Sequence, residues 1–317
     1  MRYLFCILLL FLFILCLFLF VYYINTHNNI VLFNNLNTID LSTSSATNNF
    51  IITPEIEEDK FKKPFLWIYW ENKLGKKTPP YIKLCIDTVF KHCSQSFDII
   101  LLDEKNIYNY LPELYTTDID FSNLLLAQKV DYYRILLLHK YGGLYIDADT
   151  LVLKNPSVII EKLDKYDFVG FGCTGINCNY GYGKPSNGIM ASRPNGKLIS
   201  RIKFNLESKL RNNNKKWDYF ELGKFIIWEE LNYLINNNGY EYYHFSNDFD
   251  GTRDINGNWI ETSYLFSDKV INYKDPDNML FIILYNSQMD DLRELNEETL
   301  LNSNLNISNF FRKSLNK

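Results

Sequence analysis

Glycine and proline are scarce, at 14 and 9 of 317 residues, which excludes collagen-like and proline-rich classes. Excess positive charge is also missing. The formal net charge is −4, against the basic face a general nucleic-acid binder carries, so no nucleic-acid partner is expected. No internal repeat is present, and no Lys or Arg stands between Arg2 and Lys60. The six cysteines offer one close pair, Cys173 and Cys178, with no second pair at ligand spacing. Zinc is therefore poorly supported, and the pair reads as a short disulfide loop or as free thiols. What the chain does have is apolar material: 47% hydrophobic and 16% aromatic residues, which excludes a wholly disordered chain.

The longest apolar run is Leu4 to Ile24. As a helix rising about 1.5 Å per residue it would span roughly 30 Å, the thickness of a bilayer core. Bulky Tyr22 and Tyr23 follow where a cleaved signal peptide would carry small residues, and they suit an interfacial belt. Arg2 precedes the run and no cation follows it closely. The positive-inside bias then predicts an uncleaved signal-anchor, a type II membrane protein with its body lumenal or exterior. The expected organisation is an anchor over 1–24, an Asn/Thr/Ser-rich disordered stem over 25–60 and a folded domain over 61–317.

Within that domain, short apolar runs alternate with helical periodicity. Strands are expected at Phe65–Trp70, Phe97–Leu102, Gly143–Ile146, Asp167–Phe171 and Gly188–Ser192. Helices are expected after Pro79-Pro80, from a Ser122 cap to about His139, over Lys197–Leu210 and over Tyr219–Ile235. Such alternation predicts an α/β fold with a mainly parallel central sheet, whose ligands bind beyond the carboxyl ends of the strands.

The segment DYYRILLLHKYGGLYIDADTLVLKNP, Asp131 to Pro156, concentrates the chemistry. Asp147 and Asp149 flank Ala148 just after an apolar strand, so both carboxylates can address one divalent cation. Two like charges that close are costly unless a cation neutralises them, and Mg²⁺ or Mn²⁺ suits such oxygen ligands together with substrate phosphates. Upstream, Asp131 and Arg134 share a helix face. The arginine fork suits phosphate and the aspartate suits sugar hydroxyls; a plain helical ion pair is the simpler alternative.

FLWIYW, CIDTVFKH and DYYRILLLHKYGGLYIDAD together resemble the DXD-containing sugar transferases of glycosyltransferase family 32, including the capsular-polysaccharide-synthesis type. The resemblance covers roughly Phe65 to Pro156. It implies a GT-A-type nucleotide-sugar transferase fold and a nucleoside-diphosphate sugar as donor. It implies Mn²⁺ or Mg²⁺ on Asp149 and Asp147, and retention at the anomeric carbon. Trp67 matches the position near the nucleotide base, Asp131 the residue contacting ribose or donor sugar, and Arg134 the arginine near the diphosphate. Asn187 resembles the strand closing the donor-sugar pocket, with a turn residue as the alternative. The acceptor would be a glycan, lipid or protein hydroxyl. On this reading, removing Arg134 should harm catalysis more than folding.

Weaker candidates are Glu229 or Glu230 as an acceptor-side base and His244 as a late metal ligand; a solvated helix face and a structural histidine are the alternatives. Two other functions compete. LYIDADTLVL also fits the DxDxT motif of haloacid-dehalogenase-like phosphatases, with Asp290 and Asp291 as a late acidic pair. A non-catalytic, membrane-tethered glycan-binding protein would need neither metal nor both carboxylates.

Overall fold

A computed structural model describes residues 63–72, 75–172, 183–211, 215–289 and 293–317. The expected anchor and stem, Cys173, Cys178, Asp290 and Asp291 lie outside the described residues. Among the described residues no helix is long and apolar enough to cross a membrane.

In chain order the strands are β1 Phe65–Tyr69, β2 Asp98–Leu102, β3 Gly143–Ile146, β4 Thr150–Val152, β5 Phe168–Gly172, β6 Pro185–Ser192, β7 Tyr243–Ser246 and β8 Phe281–Ile283. The helices are α1 Pro80–Cys93, α2 Ile107–Tyr110, α3 Leu126–Tyr141, α4 Ser157–Lys162, α5 Lys197–Arg211, α6 Lys224–Asn238, α7 Thr262–Leu265, α8 Glu297–Asn302 and α9 Asn306–Leu315. Six strands form one sheet in the order β2-β1-β3-β6-β5-β7. Only β6 runs against the others, pairing antiparallel with β3 and β5. The expected α/β class with a mainly parallel sheet is therefore observed. A separate two-stranded sheet pairs β4 with β8.

Strand alternation divides the core into two layers. Leu66, Ile68, Leu144, Ile146, Ile189 and Ala191 pack on one face with residues of α1, β4, β8 and α9. Trp67, Tyr69, Tyr145 and Met190 pack on the other with residues of α3, α5 and α6. By the same alternation the residue after Ile146, Asp147, belongs to the face of Tyr145 and α3.

Helix starts follow local chemistry. α1 opens on Pro79 and Pro80, whose missing N–H groups cost nothing in a first turn, and carries Lys91 and His92 in its last turn. α3 begins later than Ser122 predicts. Leu125 stands at the cap, and the Gln128 side chain accepts its backbone N–H at 3.0 Å. Ser122 instead takes its own hydrogen bond from the turn before, its N–H donating to Asp120 Oδ1 at 2.8 Å. The helix stops at Gly142 as expected. Gly143 enters β3 with φ +92°, and a Cβ there would lie 2.3 Å from the Phe65 carbonyl oxygen. Only glycine lets β3 join β1 immediately after a helix.

Candidate active site

β3 delivers Asp147 to the edge of a polar cluster beyond the sheet. Its backbone N–H donates to Gly188 O at 2.8 Å, extending the β3–β6 register by one residue. Arg134, one helical turn past Asp131 on α3, lies 3.1 Å from Asp147 Oδ1 through Nη1 and 3.4 Å from Asp131 Oδ1 through Nη2. The guanidinium also donates to the Asn187 carbonyl and covers the Tyr145 ring, 4.6 Å from its centroid. Asn187 on β6 closes the ring, its Nδ2 donating to Asp131 Oδ1 at 2.8 Å. Gly223, just before α6, presses against this pair: a Cβ there would sit 2.5 Å from Asp131 Oδ2 and 2.6 Å from Asn187 Nδ2. Four expected residues, Asp131, Arg134, Asp147 and Asn187, are thus brought into one hydrogen-bonded set.

Asp149 is held from the other core layer. Asn286 N–H donates to its Oδ2 at 2.5 Å, and Leu284 N–H to its backbone oxygen at 3.1 Å. Asn286 is itself braced. Its side-chain oxygen accepts from the Tyr81 hydroxyl, and its carbonyl accepts from Arg293 Nη2 at 2.5 Å. Tyr285 before it adopts a left-handed conformation, φ +50°, an unusual state for a bulky side chain and one that clusters at functional sites.

Charge in this set is out of balance. Asp131, Asp147 and Asp149 face Arg134, the one cation paired with them among the described residues. Burial pushes Asp147 up to about 7; Arg134 opposes the rise, and the Asp149 and Asp131 carboxylates add to it. Burial also raises Asp149, against the Asn286 hydrogen bond, and raises Asp131, against Arg134 and Asn187. Burial disfavours the charge on Arg134, but Asp147, Tyr145 and Asp131 outweigh it and hold the guanidinium charged. Although enclosed by these groups, the Asp147 side chain keeps 35% of its surface accessible, whereas Arg134 keeps 6%.

The donor set fits a small, hard divalent cation of the Mn²⁺ or Mg²⁺ kind: all oxygens, two carboxylates near enough that Asp149 raises Asp147, both penalised by desolvation. Among the described residues no group of three or more His, Cys, Asp or Glu forms a metal cage. Mg²⁺-type sites commonly rely on one or two carboxylates and leave the remaining positions to water and phosphate.

Other candidates lie elsewhere. Trp67 is fully buried in the α3-side layer, its indole N–H donating to Gly142 O at 2.9 Å and its ring stacked on Phe65 at 4.6 Å. It therefore offers no face to a nucleotide base, correcting that expectation. Glu230 is buried on Arg201 at 2.6 Å and Asn205 at 2.8 Å, and Glu229 pairs with Lys209 at 2.9 Å. Both tie α6 to α5. His244 is part-buried in β7, its Nε2 without a partner among the described residues, and burial lowers its pKa. Sequence reasoning passed over Tyr145, Gly223, Tyr285 and Asn286. Tyr145 alone left a signal, two residues before Asp147 and hence on its face.

The family model described as capsular polysaccharide synthesis protein matches residues 18–250, about three quarters of the chain. No curated protein matches. Among solved structures, PaToxG glycosyltransferase is similar at 16% identity over 57% of this chain and 72% of that one, with TM-score 0.36. The apo-form glycosyltransferase GlyE of Streptococcus pneumoniae TIGR4 is similar at 16% identity over 61% of this chain and 47% of that one, with TM-score 0.36. A glycosyltransferase involved in glycosylation of the major capsid of PBCV-1 is similar at 14% identity over 73% of this chain and 98% of that one, with TM-score 0.39.

Proposed function

The chain belongs to the capsular polysaccharide synthesis protein family, and from that premise we propose that it is a metal-dependent glycosyltransferase of the GT-A type. It moves a monosaccharide from a nucleoside-diphosphate sugar to a glycan, lipid or protein hydroxyl, with retention of configuration. The apolar run over 4–24 anchors it to a membrane, with the catalytic body on the lumenal or exterior side.

One observation carries this reading: three desolvated carboxylates paired, among the described residues, with a single guanidinium, at the carboxyl end of β3. With all three ionised, two negative charges are left over, which one divalent ion would offset. Asp149 and Asp147 would hold Mn²⁺ or Mg²⁺, which supplies Lewis-acid charge for a departing diphosphate. Arg134 is already engaged by Asp147, Asp131 and the Asn187 carbonyl. It acts as a positioning residue that aims Asp147 outward, more than as a free phosphate ligand. Asp131 and Asn187 form the polar wall available to donor-sugar hydroxyls.

The test is a thermal-shift panel of nucleotide-sugars with and without Mn²⁺. Ligands that bind only the folded state stabilise it, by about 2.7 kcal/mol at one hundred times Kd. One nucleotide-sugar should stabilise the protein selectively and only with Mn²⁺. Asp149→Asn should abolish that shift and sugar transfer together. Near wild-type transfer by a folded Asp149→Asn protein overturns the reading. Hydrolysis of phosphate monoesters with no response to nucleotide-sugars replaces it with the phosphatase.

A further inference from the structure

A cavity of about 340 Å³ lies outside the carboxylate set, lined by Trp259, Glu261, Thr262, Ser263 and Gln288. Its volume is within the range of about 300–1,000 Å³ typical of small-molecule sites. Its lining is amphiphilic: one broad aromatic ring, a carboxylate, an amide and two hydroxyls. A sugar ring is the matching object, with a C–H face for the aromatic and hydroxyls that donate and accept.

The aromatic wall is preset. Arg253 and Trp259 pair as an antiparallel bridge around a tight turn. Asp254 locks that turn, its carboxylate accepting Asn256 N–H at 2.9 Å, Asn258 N–H at 2.8 Å and Asn258 Nδ2 at 3.0 Å. The Arg253 guanidinium carbon lies 5.0 Å from the indole centroid and the Tyr285 ring 4.8 Å from it, yet Trp259 stays 40% exposed. Buried Thr262 Oγ1 lies 2.8 Å from Leu284 O and 3.1 Å from Gln288 Oε1, and its one hydrogen serves one of these oxygens or is shared between them.

Two contacts lead from the cavity's aromatic wall to Asp149. Tyr285 packs on Trp259, and the next residue, Asn286, donates its N–H to Asp149. A ring seated on Trp259 is therefore set back from Asp149 by the Tyr285–Asn286 corner.

We propose that this cavity is a saccharide subsite gripping the acceptor at a ring removed from the hydroxyl that receives the transferred sugar, so that the acceptor is a pre-existing oligosaccharide chain. The acceptor role rests on the glycosyltransferase reading above; the saccharide site does not.

The experiment titrates the full chain with defined linear hexose and N-acetylhexosamine trisaccharides and their parent monosaccharides, by calorimetry. Uridine and guanosine diphosphate with Mn²⁺ are titrated into the same samples. Wild type should bind at least one trisaccharide, with its monosaccharide weaker by about tenfold or more. Trp259→Ala should weaken the trisaccharide by about tenfold, Trp259→Phe by less, and neither should change diphosphate binding. Gln288→Leu, which leaves the indole in place, should also weaken it. No trisaccharide binding by wild type, undiminished binding by a folded Trp259→Ala protein, or equal binding of monosaccharide and trisaccharide overturns the proposal. Trp259-dependent trisaccharide binding with no diphosphate binding upholds the saccharide site and overturns the transferase reading.

Discussion

Arg134 holds two carboxylates and a carbonyl at once, so its loss is felt by folding as well as by chemistry. Removing one partner of a buried ion pair typically costs about 3–5 kcal/mol. Asp147, already pushed up to about 7, can relieve part of that by taking a proton. Arg134→Ala should therefore lose roughly 3 kcal/mol in urea denaturation at neutral pH, a larger folding cost than the sequence suggests. The raised Asp147 also sets a pH dependence. A carboxyl whose pKa rises on folding binds more protons in the native state. Its contribution to stability is thus greatest at acid pH and is lost as pH climbs from about 4 through about 7. His92, His139 and His244, all lowered chiefly by burial, tilt the curve the other way. The informative measurement is the difference in melting temperature between wild type and Asp147→Asn from pH 5 to 8 without metal: the variant should gain relative to wild type as pH rises. A constant difference would contradict the assignment.

At the scale of elements, the short β4 depends on side chains from both ends of the domain. Thr88 on α1 accepts the Val152 N–H at 2.9 Å and donates to Cys85 O at 2.6 Å. Ser314 on α9 donates to Val152 O at 2.7 Å. Thr88→Val keeps the shape but orphans a buried N–H, which should cost about 1–3 kcal/mol in denaturant titration. Elements were legible in the sequence where their signal is local. Apolar strands after turns, prolines opening α1 and the Gly142 stop of α3 all registered within three residues. The start of α3 did not, because Gln128 rather than a serine satisfies the freed N–H. The strand after Asp149 was not foreseen either; β4 pairs with β8, over a hundred residues away, and is braced by side chains 64 and 162 residues from Val152.

Over the whole molecule, the half of the site written in one continuous segment, Asp131 to Asp149, could be read directly. Asn187 on β6 was also read, but the part built by the residue before α6 and the β8 exit was not: Asn286, Tyr285 and Gly223 matter through where the fold puts them. Trp67 shows the converse. A motif position pointed to a ligand, while strand alternation sent the ring into the core. The same alternation has a consequence for Asp147 and Asp149. The first is tethered to α3 on one side of the sheet, the second to the loop after β8 on the other. A single ion bound by both would act as a rivet between the two layers. Hydrogen exchange should then slow together on α3 and on the backbone around Asn286 when Mn²⁺ and a nucleoside diphosphate are added, and Asp149→Asn should uncouple the two regions, leaving each to open on its own schedule.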